Sequence, residues 1–104
     1  MLLSLDQSAP SFTTVTNSNP IITLESFKGH NLILYFYPKD DTPGCTLESC
    51  GFRDSYQEIK QCHGEVLGVS KDSLESHQKF RKKYDLPFEL AADSEGTLCK
   101  LYDV

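Results

Sequence analysis

The chain has 104 residues, enough for one small domain and no second. Hydrophobic residues make up 38% and charged residues 24%, a balance that excludes wholesale disorder. Ten basic against fifteen acidic residues leave a net charge of -5, which excludes a general nucleic-acid binder, since such a protein needs a basic face to displace counterions.

Taken from the N-terminus, Met1 to Asp6 carries no basic start and no long apolar stretch, so no signal peptide and a cytoplasmic location are expected. Ser11 to Thr16 and Ile21 to Leu24 are rich in β-formers and flank the turn signal Asn17-Ser18-Asn19-Pro20, which predicts a hairpin. After Lys28-Gly29-His30-Asn31, the run Leu32 to Tyr37 is apolar at every position, as for a strand covered on both faces. It is the longest such run, far short of the roughly 20 residues of a membrane-spanning helix.

Pro38 to Gly44 reads as a loop, and a long helix is predicted from about Thr42 to Gln61. Thr42 is its N-cap, Pro43 its first residue and Gly64 its stop. Gly51 weakens that helix by about 1 kcal/mol relative to Ala. Glu65 to Ser70 reads as a second buried strand. Ser73 to Tyr84 carries Leu74, His77, Phe80 and Tyr84 at helical spacing behind a Ser73 cap. Leu86 to Leu90 is extended, and Ser94 to Val104 opens a short helix. The order predicts an α/β layered domain with parallel strands joined by helical crossovers.

Four cysteines in a chain with a core and no secretory signal argue against a disulfide scaffold. Cys45 stands where a buried strand has ended and a helix begins. That end of an α/β sheet is where active sites collect, and unpaired helix-start N–H groups and the macrodipole stabilise a thiolate there. Lys39 and Arg53 add positive potential, Asp40, Asp41 and Glu48 oppose it, and the Thr42 hydroxyl is within reach of the first turn. Cys50 lies five residues on. In an ideal helix this is a rise of about 7.5 Å and a Cα separation near 8.6 Å, beyond the roughly 7 Å a disulfide tolerates. The two thiols can therefore join only if the helix unwinds locally, as when a sulfenic acid on one is captured by the other. Zinc held by Cys45, Cys50, Cys62 and His63 is the competing reading. It is disfavoured because structural zinc prefers paired knuckles with about two to four intervening residues.

The run Tyr35-Phe36-Tyr37-Pro38-Lys39-Asp40-Asp41-Thr42-Pro43-Gly44-Cys45-Thr46, followed by Glu48, Cys50 and Phe52-Arg53-Asp54, closely resembles the peroxiredoxin Q family, also called bacterioferritin comigratory protein. Pro38, Thr42 and Cys45 match the general peroxiredoxin pattern Pro-x3-Thr-x2-Cys. Further matches are Gly68-Val69-Ser70, Ser73, Ser76-His77, Phe80, and Tyr84 through Leu90 with Asp93. The resemblance implies a thioredoxin-like fold, here with an N-terminal hairpin and a mixed central sheet flanked by helices. It implies a thiol peroxidase for hydrogen peroxide and organic hydroperoxides, with Cys45 peroxidatic, Cys50 resolving, Thr42 bonding the thiolate or peroxide and Pro38 shielding the pocket. Thioredoxin is the implied reductant, no metal or organic cofactor is implied, and many members are monomers.

Family members continue past the position of Val104 with further strands, a final helix and an arginine that assists the cysteine. The chain therefore reads as a single domain over 1–104, incomplete at its C-terminus, with an uncovered sheet edge that invites self-association. A catalytically feeble remnant that at most interacts with thioredoxin is the alternative. Cys62 and Cys99 read as structural, and His30, His63 and His77 as surface or helix-packing residues. The basic run Lys79, Arg81, Lys82, Lys83 reads as a solvated helix face.

Overall fold

Short β-rich segments at the N-terminus form the hairpin in the computed structural model, which describes residues 9–16 and 21–102. Strands β1 (Thr13–Thr14) and β2 (Ile22–Thr23) pair antiparallel, Thr13 opposite Thr23 and Thr14 opposite Ile22. The pairing is shorter than the sequence runs, and the turn Asn17–Pro20 lies outside the described residues. Leu24–Phe27 leaves the hairpin as a single 3-10 turn, capped where the Thr23 N–H donates to Ser26 Oγ at 3.0 Å.

The central sheet has the order β3 (Asn31–Phe36), β4 (Gly64–Ser70), β5 (Glu89–Ala92), and both pairings are parallel. The crossovers are α1 (Pro43–Gln61) between β3 and β4, and α2 (Leu74–Tyr84) between β4 and β5. The chain closes with α3 (Thr97–Leu101). The expected α/β architecture is thus present, and antiparallel pairing among the described residues is confined to the hairpin.

Period-two alternation divides the core. Val66 on β4 and Leu90 on β5 face the layer that holds Tyr35, Phe80, Leu86 and Phe88, packed by Phe52, Tyr56 and Ile59 from α1. Leu67, Val69 and Ala91 face Phe12, Ile22 and Leu98, from the hairpin side and α3. Leu67 is fully buried, so truncating it to Ala costs about 2–5 kcal/mol.

Four sequence expectations are corrected. Leu32, Ile33 and Leu34 are only partly buried, because β3 is an edge of the described sheet and β4 is the strand between two neighbours. Helix α1 is stopped by His63, which takes the left-handed conformation with φ 57°, rather than by Gly64. Gly64 opens β4 instead, and a Cβ there would lie 2.6 Å from Ile59 Cγ2 and 2.8 Å from its carbonyl oxygen. The segment Leu86–Phe88 precedes β5, and the final helix begins at Thr97. Ser73 caps α2 as expected, accepting from the Ser76 N–H at 3.1 Å.

Candidate active site

The carboxyl end of β3 delivers the chain into a tight loop and then directly into α1. Tyr37 continues the ladder, its N–H donating to the Val69 carbonyl at 3.0 Å. Pro38 and Lys39 are exposed, and Asp41 takes a left-handed backbone with φ 59°. Thr42 is extended at the N-cap and Pro43 starts the helix. This puts Cys45 in the first turn, where the Gly44 and Cys45 N–H groups have no intrahelical acceptor. The Thr46 N–H is the first to be satisfied, by the Thr42 carbonyl at 2.8 Å. The Cys45 side chain is 6% exposed and belongs to the cluster of Tyr35, Tyr37 and Phe80.

The Thr42 hydroxyl does not reach forward into the first turn as expected. It turns back and donates to the Lys39 carbonyl at 3.0 Å, leaving its lone pairs free to accept. Pro38 lines an open cleft together with Phe36, Tyr37, Lys71 and Cys99. Cys50 is half-buried about one and a half turns beyond Cys45 on α1, and all four cysteines are free thiols. Between the two thiols the buried Ser49 hydroxyl meets the Tyr35 hydroxyl at 2.9 Å, tying the second turn of α1 to β3. Burial pushes the Tyr35 phenol well above its ordinary value, so it remains a neutral hydrogen-bonding group.

Two adjacent carboxylates fasten the loop to α2. Asp40 Oδ1 accepts from the Tyr37 hydroxyl at 2.6 Å, and Asp40 Oδ2 accepts from Ser76 Oγ at 2.8 Å and meets His77 Nδ1 at 2.7 Å. The Asp40 N–H donates to Asp72 Oδ2 at 2.8 Å. Burial by itself raises the Asp40 carboxyl, but hydrogen bonds from His77, Tyr37 and Ser76 outweigh it and hold the group below the usual carboxylate range. Asp41 accepts from Lys83 Nζ at 2.7 Å and the Tyr84 hydroxyl at 2.8 Å. The Lys83 pair is half in solvent and worth little by itself.

The zinc reading is contradicted. Cys62 and His63 sit at the far end of a 19-residue helix from Cys45, roughly 25 Å away along its axis. Among the described residues, the one set of potential ligands that converges is Asp40, Asp72 and His77, and hydrogen bonds already engage all three. Cys62 is exposed and caps α1, so it is not a packing residue. Cys99 is half-buried in α3, and burial and the Asp93 carboxylate push its thiol up. His30 and His63 are exposed, whereas His77 is wholly buried. Arg53 and Arg81 are each committed: Arg53 to the Tyr84 carbonyl and Asp54, Arg81 to Glu89 and the Leu86 carbonyl.

This arrangement, a helix-start cysteine behind a Pro-Lys-Asp-Asp-Thr-Pro-Gly loop on a parallel sheet, has clear relatives. A family model described as the AhpC/TSA family matches residues 5–104. The putative peroxiredoxin bcp of Coxiella burnetii is 49% identical over 104 residues, covering 100% of this chain and 69% of that protein. The chain belongs to the peroxiredoxin family. Its relatives place it in the Bcp/peroxiredoxin Q branch: the peroxiredoxin Bcp of Bacillus subtilis is 42% identical over all of this chain and 66% of its own length. A solved peroxiredoxin Q of Xanthomonas campestris superposes with a TM-score of 0.86 at 39% identity, over 89% of this chain and 59% of that one. The thioredoxin-like fold expected from the resemblance is therefore present. The chain spans about two thirds of the length of these peroxiredoxins.

What sequence reasoning missed is the mount of the peroxiredoxin loop. By sequence Asp40 is a charge opposing the thiolate and His77 a packing residue, yet the two meet in a buried network. The available signal was a histidine between Leu74 and Phe80 on the apolar face of α2, where a polar ring needs a partner. No helix among the described residues is long and apolar enough to cross a membrane.

Proposed function

We propose that the chain is a thiol peroxidase acting on hydrogen peroxide and organic hydroperoxides, with Cys45 as the peroxidatic and Cys50 as the resolving cysteine. The Cys45 thiolate attacks one peroxide oxygen, the O–O bond breaks, and water or an alcohol leaves as Cys45 becomes a sulfenic acid. The Cys50 thiol then attacks that sulfur, water departs, and a 45–50 disulfide forms. A dithiol reductant of the thioredoxin class returns both thiols. The observation that carries the reading is Cys45 in the first turn of α1, with Thr42 at the cap, in a chain of the peroxiredoxin family. Thr42 accepts from the peroxide OH, and Pro38 limits access to the loop.

Cys50 lies too far along an intact helix to bond Cys45, which supports a cycle that unwinds the first turns of α1. Peroxide consumption by the purified chain with thioredoxin, compared with Cys45→Ser, tests the reading. Turnover lost in the variant supports it, and no turnover by the native chain refutes it. Peptide mapping after one equivalent of peroxide tests the partner: a 45–50 crosslink is expected, and Cys62 or Cys99 as the dominant partner refutes the role of Cys50.

A second reading, a slow peroxidase, is favoured by the commitment of both arginines to other groups. Losing one preorganised donor at a transition state costs on the order of a hundred- to a thousandfold in rate. Stopped-flow kinetics beside a longer relative distinguish the two, and light scattering on the same sample tests for self-association.

A further inference from the structure

The buried pair of Asp40 and His77 is used by no step above, and its geometry is specific. His77 Nε2 lies 2.9 Å from the Ala91 carbonyl of β5. A carbonyl can only accept, so Nε2 carries a hydrogen. His77 Nδ1 lies 2.7 Å from Asp40 Oδ2, with side-chain exposures of 0% and 4%. A neutral ring protonated on Nε2 would turn a lone pair toward a carboxylate, so one proton must lie between Nδ1 and Oδ2. The Tyr37 and Ser76 hydroxyls also point at the carboxylate. Three donors around one carboxylate favour its ionised form, which puts the shared proton on the ring. The depressed Asp40 carboxyl agrees with that assignment. The charged and titratable groups around the ring are thus Asp40 from the loop, Tyr37 from the end of β3, whose hydroxyl is 3.5 Å from Nδ1, and Asp72 behind the Asp40 amide.

The network continues toward the reacting cysteine through one peptide unit. The N–H of the Lys39–Asp40 peptide donates to Asp72, and the C=O of the same peptide accepts the Thr42 hydroxyl proton. The orientation of that peptide therefore decides where the Thr42 oxygen presents its lone pairs, three residues before Cys45. Asp40 is the residue whose side chain anchors it. We propose that His77, as a buried imidazolium, is a positioning residue for peroxide reduction: it holds Asp40, which sets the Lys39–Asp40 peptide and with it the Thr42 hydroxyl. The role rests on the peroxidase function proposed above. Replacing a whole buried ion pair by apolar packing of the same volume is often neutral, although removing one partner alone is costly, so the pair's stability does not by itself account for its place beside the loop.

The test separates position from thiolate chemistry. Peroxide attack needs the Thr42 loop in place, whereas alkylation of Cys45 by iodoacetamide needs only the thiolate. In Asp40→Asn and in His77→Gln, the rate of Cys45 sulfenic acid formation should fall about tenfold while alkylation stays within about twofold, since misplacing a reacting group by about 1 Å can cost up to 100-fold. In the native chain at pH 7, NMR of the His77 ring should show protons on both nitrogens, protected from exchange. An unchanged peroxide rate, or both rates falling together, overturns the proposal, and so does a native ring with a bare Nδ1. The ring measurement decides the matter even if a variant fails to fold. A native chain inert to peroxide overturns the peroxidase function itself, and this role with it. A reactive native chain with equally reactive variants overturns only the role of His77.

Discussion

The Arg53 guanidinium on α1 donates to the Tyr84 carbonyl at the end of α2, at 2.8 Å. This contact pins α1 three residues beyond Cys50, so it divides the helix into a first part that must open for a 45–50 disulfide and a remainder that stays docked. Hydrogen exchange on the oxidised chain should show lost protection for amides 46–50 and retained protection from 54 onward. Arg53→Gln should extend the loss past 54 and lower the urea midpoint, because the Tyr84 carbonyl loses its charged donor. Urea titration checks the second part, and uniform protection along α1 after oxidation would refute the first.

If Cys50 resolves as proposed, replacing it should trap the first intermediate. With peroxide, Cys50→Ser is expected to accumulate a Cys45 sulfenic acid that dimedone labels, and to lose turnover with a dithiol reductant of the thioredoxin class. In the same experiment Cys99 should react last, because burial and the Asp93 carboxylate keep its thiol protonated. Mass spectrometry of the labelled peptides reads both outcomes.

Gly68→Ala probes the packing beneath the site. A Cβ at Gly68 would lie 2.7 Å from Leu90 Cδ2 and 2.8 Å from the Tyr35 ring. Leu90 is fully buried, and Tyr35 is held by Ser49, so neither can withdraw freely. A loss of about 1–3 kcal/mol in denaturant unfolding is expected, the usual cost of overpacking a core. An unchanged midpoint would show that the Tyr35 contact is loose.

The Asp40 carboxyl sets an acid limit. Its folded-state value lies below the unfolded one, so its contribution to stability is present above the unfolded carboxyl range, near pH 4, and is lost as pH falls through the folded value. The native chain should therefore lose stability in acid from about pH 4 downward. Asp40→Asn should be less stable at neutral pH and show a flatter dependence below that point. Thermal melts between pH 7 and pH 3 read the difference.

The order of elements, the position of Cys45 at a helix start and the impossibility of a 45–50 disulfide in an intact helix were all legible from residue spacing. Local chemistry favours them: Thr at the N-cap and Pro at the first helical position are preferred helix starts, and the rise per residue of an ideal helix does not depend on what surrounds it. The pairing of β1 with β2 and the start of α2 were legible for the same reason, through two β-rich runs and the Ser73 cap.

The tertiary structure alone decided the rest. Leu32 to Leu34 look like a central strand by composition, but whether a strand is covered depends on its neighbours in the sheet, and β3 has β4 on one side only among the described residues. The Thr42 hydroxyl could have capped its own helix; the Lys39–Asp40 peptide, turned by Asp72 from the loop after β4, drew it back instead. Asp40 and His77 are 37 residues apart, and only the return of α2 over the end of β3 makes them one buried pair. Sequence spacing reports contacts within an element, whereas a hydrogen bond between elements exists only once the chain has brought them together.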